Sequence, residues 1–216
     1  MSRYYFLVAS LPALEFDAPP PITSQQLAAM CAGELSPADL RAFAAARLDV
    51  GAPPTPRDRR SHHRAAEVFA RLDTGAPPTR HPAVLRWHRW ETALRNALAR
   101  ERAQARGTDP EHHVRAVPPA AVQNGGADIA ACDALAREAL GQASPLAAAD
   151  LLDRARWALL DDIERGHPFA LDRVVAYALK LQLLERRAGA TAEGGREVLA
   201  HIRASAIETL TAGGGV

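Results

Sequence analysis

One stretch limits the fold more than any other: from Leu171 to Leu184 the chain is apolar on nearly every side of a helical wheel. Val174, Val175, Ala176, Tyr177, Ala178, Leu179, Leu181, Leu183 and Leu184 leave no wide polar face. Such a helix is stable only when other helices surround it or a partner covers it. The sequence therefore predicts an all-α protein, a multi-helix bundle with this segment near its centre.

The rest of the chain supplies helices to surround it. Ser36-Pro37 and Ser144-Pro145 are start signals, a capping hydroxyl followed by a ring preset for the first helical position. Thr23 or Ser24 opens a short helix to about Ala32. The helix from Pro37 puts Leu40, Phe43, Ala44 and Leu48 on one face. The clearest helix runs from about Pro82 to Ala105, where Gly107 stops it. Its stripe is Trp87, Trp90, Leu94 and Leu98, at steps of three and four. Further helices are expected over about 127–140, 145–165, 169–188 and 191–210. The opening Tyr4 to Val8 fits a buried strand or a short helix, and periodicity does not decide between them.

Two passages punctuate this pattern. Leu48-Asp49-Val50-Gly51-Ala52-Pro53-Pro54-Thr55 is echoed by Leu72-Asp73-Thr74-Gly75-Ala76-Pro77-Pro78-Thr79. Each copy reads as helix-stop chemistry, a glycine followed by prolines, with a short helix of about 61–72 between them. The second passage, with Pro110, Pro118, Pro119 and Asn124-Gly125-Gly126, is the best internal boundary. It divides the chain into an N-terminal helical lobe (1–106), a loop-rich break (107–126), a C-terminal helical lobe (127–211) and a disordered tail (212–216). The two lobes could equally pack as one domain.

A net charge of +1 makes no global case for nucleic acid or an anionic membrane. The basic run from Arg57 to Arg64 has no interleaved aromatics for base stacking, so it is a weak nucleic-acid candidate. Cys31 and Cys132 stand far apart in no metal or redox spacing, as buried thiols in a reducing cytoplasm would. No stretch approaches the roughly 20 apolar residues that span a bilayer, and Met1 to Leu14 is a poor signal peptide, so a soluble, cytoplasmic protein is expected.

Candidate chemistry is sparse. The pairs His62-His63 and His112-His113 diverge by about 100° on a helix and lack an HExxH arrangement. Asp161-Asp162-Ile163-Glu164 superficially resembles a diphosphate-binding DDxxD motif, without a second acidic cluster to face it. Lys180 is the sole lysine. In its apolar helix it is either a nucleophile of depressed pKa, or it snorkels, or it pairs with an acid from a neighbouring helix. Glu91 and Arg95 form an i,i+4 pair that a second helix could complete through Asp153 or Arg156. We find no catalytic, cofactor-binding or metal motif here, and expect no cofactor.

A resemblance runs through these same segments. Arg3 to Leu14, then Trp87 to Leu98, then Arg156-Trp157, Phe169 and Tyr177 to Arg186 resemble, in order, signatures of an uncharacterised bacterial family encoded beside V/A-type rotary ATPase subunits. More faintly, the opening and the Tyr177-Ala178-Leu179-Lys180 region are similar to repeated units of the helical central-stalk subunit of those ATPases, a longer all-helical funnel. The resemblance implies a non-catalytic subunit or adaptor linking rotor shaft and membrane ring. Its partners would be other ATPase subunits, not nucleic acid, at the cytoplasmic face of the inner membrane. The structural or interface candidates are Tyr4, Tyr5, Trp87, Trp90, Glu91, Arg95, Asn96, Trp157, Tyr177 and Lys180. The competing expectation is a helical metal-dependent enzyme using Glu91, Asp153 and Asp161.

Overall fold

The computed structural model of the chain describes residues 4–48, 79–118 and 129–189. Among these residues it is all helical, with no strand. In chain order the helices are α1 (Tyr5–Ser10), α2 (Ser24–Glu34), α3 (Pro37–Ala45), α4 (Pro82–Arg106), α5 (Cys132–Leu140), α6 (Pro145–Glu164) and α7 (Leu171–Gly189). One 3-10 turn, Glu111–His113, follows α4. The echo from Asp49 to Pro78, the helix expected at 61–72, the basic run and the helix expected at 191–210 lie outside the described residues.

The opening is a helix, not a strand. It buries Tyr4 and Leu7, three apart, while Tyr5 and Phe6 face outward, a helical period rather than a strand's alternation.

The expected starts are made by side chains. Thr23 accepts from the Gln26 amide at 3.1 Å, and Gln26 Oε1 accepts from the Thr23 amide at 2.8 Å, a reciprocal capping box. Ser36 and Ser144 accept from the amides of Asp39 and Ala147, each ahead of a proline in the first helical turn. At the far end of α4, Gly107 takes φ 66°, the left-handed cap that glycine adopts without a Cβ penalty. Gly166, at φ 83°, turns the corner from α6 into α7.

As the sequence requires, α7 is central. It packs against α2, α3, α4 and α6, and Leu179, Leu181 and Leu183 are fully buried. The long α4 lies along α5 and also touches α6 and α7, so helices before and after the loop-rich break share one core. No helix among the described residues is long and apolar enough to cross a membrane. Cys31 is a free thiol inside the core, where burial pushes its pKa up to about 11 and keeps it an inert apolar group.

Candidate functional site

One set of buried polar residues gathers on a single side of α4. Trp87, His88, Glu91 and Arg95 follow the helical spacing, and this side meets the extended segment leaving α3. Four successive carbonyls of that segment accept from buried or half-buried side chains. His88 Nε2 reaches the Ala45 oxygen at 3.0 Å, and Gln182 Nε2 the Ala46 oxygen at 2.8 Å. Trp87 Nε1 reaches the Arg47 oxygen at 3.0 Å, and an Arg95 nitrogen the Leu48 oxygen at 2.9 Å. Gln182 also accepts from the Leu48 amide at 3.1 Å. A backbone leaving a helix inside a core has carbonyls that must find partners, and α4 and α7 supply them.

Beneath this clamp lies an ion network. Glu91 is fully buried, and the Arg156 fork holds it through Nε at 3.0 Å and Nη2 at 3.1 Å. Arg95 Nε adds a third bond at 2.8 Å. Arg156 also donates to Asp153 at 3.0 Å, and Asp153 accepts from Arg186 of α7 at 2.5 Å. The guanidinium of Arg156 is strongly desolvated, which works against its charge, yet attraction to Glu91 and Asp153 wins and raises its pKa. Three long helices, α4, α6 and α7, thus share one chain of alternating charges. Geometry of this kind fixes which turn of one helix faces which turn of the next; its worth lies in register more than in net stability.

His88 belongs to the same layer. Burial lowers its pKa, against the opposing pull of the Ala45 carbonyl and Glu91. The neutral imidazole carries its proton on Nε2, since a carbonyl can only accept.

Lys180 does not snorkel; it is buried and takes the third of its expected roles, pairing with acids of a neighbouring helix. It donates to Asp161 at 2.5 Å and Glu164 at 3.0 Å, both on α6, and its ammonium lies 5.1 Å from the centre of the Trp157 ring. The acidic run around it is divided: Asp161 and Glu164 face Lys180, Asp162 pairs with Arg86 and Arg165, and Ile163 is in the core. Hydrogen bonding from Arg86 holds the Asp162 carboxyl below the usual range.

The remaining sequence candidates stand as follows. Tyr4 is buried and its hydroxyl donates to Asp39. Tyr5 is about half exposed, its ring 4.8 Å from that of Phe169. Trp87 and Trp90 are buried neighbours with ring centres 6.1 Å apart. Asn96 exchanges two hydrogen bonds with the Arg115 backbone, at 2.7 and 2.9 Å, and so ties the loop after α4 back to its helix. Tyr177 donates to the Pro12 carbonyl at 3.0 Å, and burial pushes its hydroxyl up to about 12.

The three carboxylates of the metalloenzyme expectation are not brought together as a ligand set. Glu91 and Asp153 are joined through Arg156, and Asp161 is held by Lys180. Among the described residues no group of three or more His, Cys, Asp and Glu is placed to hold a metal ion. His113 is exposed on the 3-10 turn.

The Glu91–Arg95 spacing pointed to half of this network, with Asp153 or Arg156 as its expected partner; both belong to it. The carbonyl clamp was missed. Its one available signal was polarity, since His88 and Gln182 sit among buried positions where an apolar residue would pack more simply. No protein-family model, no curated protein and no solved structure matches the chain.

Proposed function

We propose that this chain is a non-catalytic helical adaptor, and more specifically an accessory component of a bacterial V/A-type rotary ATPase, placed like the helical funnel of the central stalk between rotor shaft and membrane ring. The observation that carries the reading is how the segments of the resemblance meet. Tyr5 touches Phe169, Pro12 accepts from Tyr177, Glu91 is held by Arg156, and Trp157 lies beside Lys180. Each contact joins two segments that are distant in sequence and that resemble the same family. These contacts tie distant segments into one packing framework, which supports a rigid adaptor.

The polar groups support the same reading. The buried carboxylates Glu91 and Asp153 are occupied by guanidinium groups, an arrangement that locks helices together and leaves those acids poorly suited to proton transfer or metal binding. A rotor component must carry torque without deforming, and an interior cross-linked through α4, α6 and α7 suits that load.

Deleting the gene tests the proposal. The lysate of the deleted strain should keep ATP hydrolysis by the detached catalytic head while its membranes lose ATP-driven ion pumping, and a plasmid copy should restore the pumping. Unchanged pumping in the deleted strain would sink the reading. Stoichiometric metal in chelator-free protein would instead favour the metalloenzyme.

A further inference from the structure

The segment between α1 and α2 crosses α6 and α7 as a strap, and its tip is a distinct piece of recognition chemistry. The Ala18 amide donates to the Glu15 carbonyl at 3.2 Å, closing a tight turn that presents Phe16 and Asp17 side by side. Both residues meet the same two arginines. The guanidinium carbons of Arg154 and Arg187 lie 4.6 and 4.1 Å from the Phe16 ring centre, and Trp157 packs edge-on against that ring at 5.4 Å. The Asp17 carboxylate reaches Arg154 at 3.3 Å and Arg187 at 3.6 Å. From beneath, Asp150 holds both guanidinium groups, at 2.9 Å to Arg154 and 2.8 Å to Arg187. Their hydrogen bonds keep the Asp150 carboxyl below its usual range, so it stays ionised and sets the spacing of the pair.

We propose that the Arg154–Arg187 pair is a docking site for an aromatic–acidic turn on a partner protein, and that the chain's own Phe16–Asp17 turn is its displaceable internal occupant. Three features point this way. The ion pairs of the tip are of the weak, solvent-exposed kind, with Asp17 67% and Arg154 54% exposed, so its hold rests mainly on the half-buried Phe16 ring. The strap is fastened independently at both ends. Tyr177 bonds Pro12 at 3.0 Å, and Ser24 bonds Glu185 through its amide at 2.6 Å and its hydroxyl at 2.5 Å. Displacing Phe16 and Asp17 would leave both of these fastenings in place. Finally, the site is larger than its occupant: a groove of about 710 Å³ adjoins it, sharing Asp150 and Arg187 and floored by Leu146, Ala149 and Leu152. Leu146 is 75% exposed at this groove, apolar surface that a longer partner segment would cover. The chemistry of the site is independent of which assembly the chain joins.

Binding of a fluorescein-labelled peptide that copies residues 11–22 tests this, with the full-length chain. The wild-type strap competes from a high effective concentration, so the Phe16→Ala/Asp17→Ala chain should bind the peptide about tenfold more tightly, or better. Adding Arg154→Ala and Arg187→Ala should abolish binding, as should replacing the phenylalanine of the peptide by alanine. If the double variant fails to fold, Asp17→Asn, which keeps the side-chain shape, should still give a severalfold gain. Equal affinity for wild type and strap variants, or binding that survives loss of both arginines, would overturn the proposal. Wild-type self-association that the arginine variants abolish would make a second copy the occupant and overturn the assignment to a partner protein.

Discussion

Arg156 carries a testable load, because Glu91 is buried beyond the reach of water and is held by its guanidinium. Arg156→Ala should cost about 3–5 kcal/mol, the loss typical when one partner of a buried pair is removed. Urea unfolding measures it, and a loss below about 1 kcal/mol would mean that Arg95 alone satisfies the carboxylate. His88 gives the residue scale a pH dependence. Its folded pKa lies below the ordinary 6.5, so the unfolded chain binds the proton more readily. Stability from the neutral imidazole is complete above about pH 6.5 and is lost as pH falls from there toward the folded pKa, by up to about 1.4 kcal/mol per unit. His88→Gln keeps a donor for the Ala45 carbonyl and removes the titration. The stability gap between wild type and this variant should therefore be flat above pH 6.5 and shift against the wild type below it. A gap that stays constant down to pH 5 would show that His88 does not titrate between the two states.

At the scale of elements, the helices were legible where local chemistry makes them. Ser36-Pro37, Ser144-Pro145 and the Thr23-Ser24 pair announced three starts, of which the last is capped by Thr23; Gly107 announced a stop, and the absence of a polar face announced that α7 is central. Ser144→Ala should cost about 1 kcal/mol by leaving the Ala147 amide without its acceptor, read from the thermal midpoint; an unchanged midpoint would mean that α6 does not need this cap. The opening was not legible, since five apolar residues fit either period and only packing chose the helix. Nor were the clamp on residues 45–48 and the Phe16–Asp17 clasp. Both join side chains to groups more than 30 positions away, and no local rule encodes which carbonyl or ring a distant helix will meet. Glu91–Arg95 was legible because its spacing is four, and Arg156 only as one possible partner on another helix.

At the scale of the whole molecule, helices from both sides of the loop-rich break form one core, cross-braced by alternating charges and by backbone carbonyls held in side-chain grips. That construction suits a part that must keep its shape while others move against it. The most direct measurement is to purify the tagged full-length chain from its native cells in mild detergent and identify what accompanies it by mass spectrometry. The adaptor account predicts rotary ATPase stalk or ring subunits in near-equal amounts. Recovery of the chain alone, from a lysate in which the ATPase is present, would contradict it.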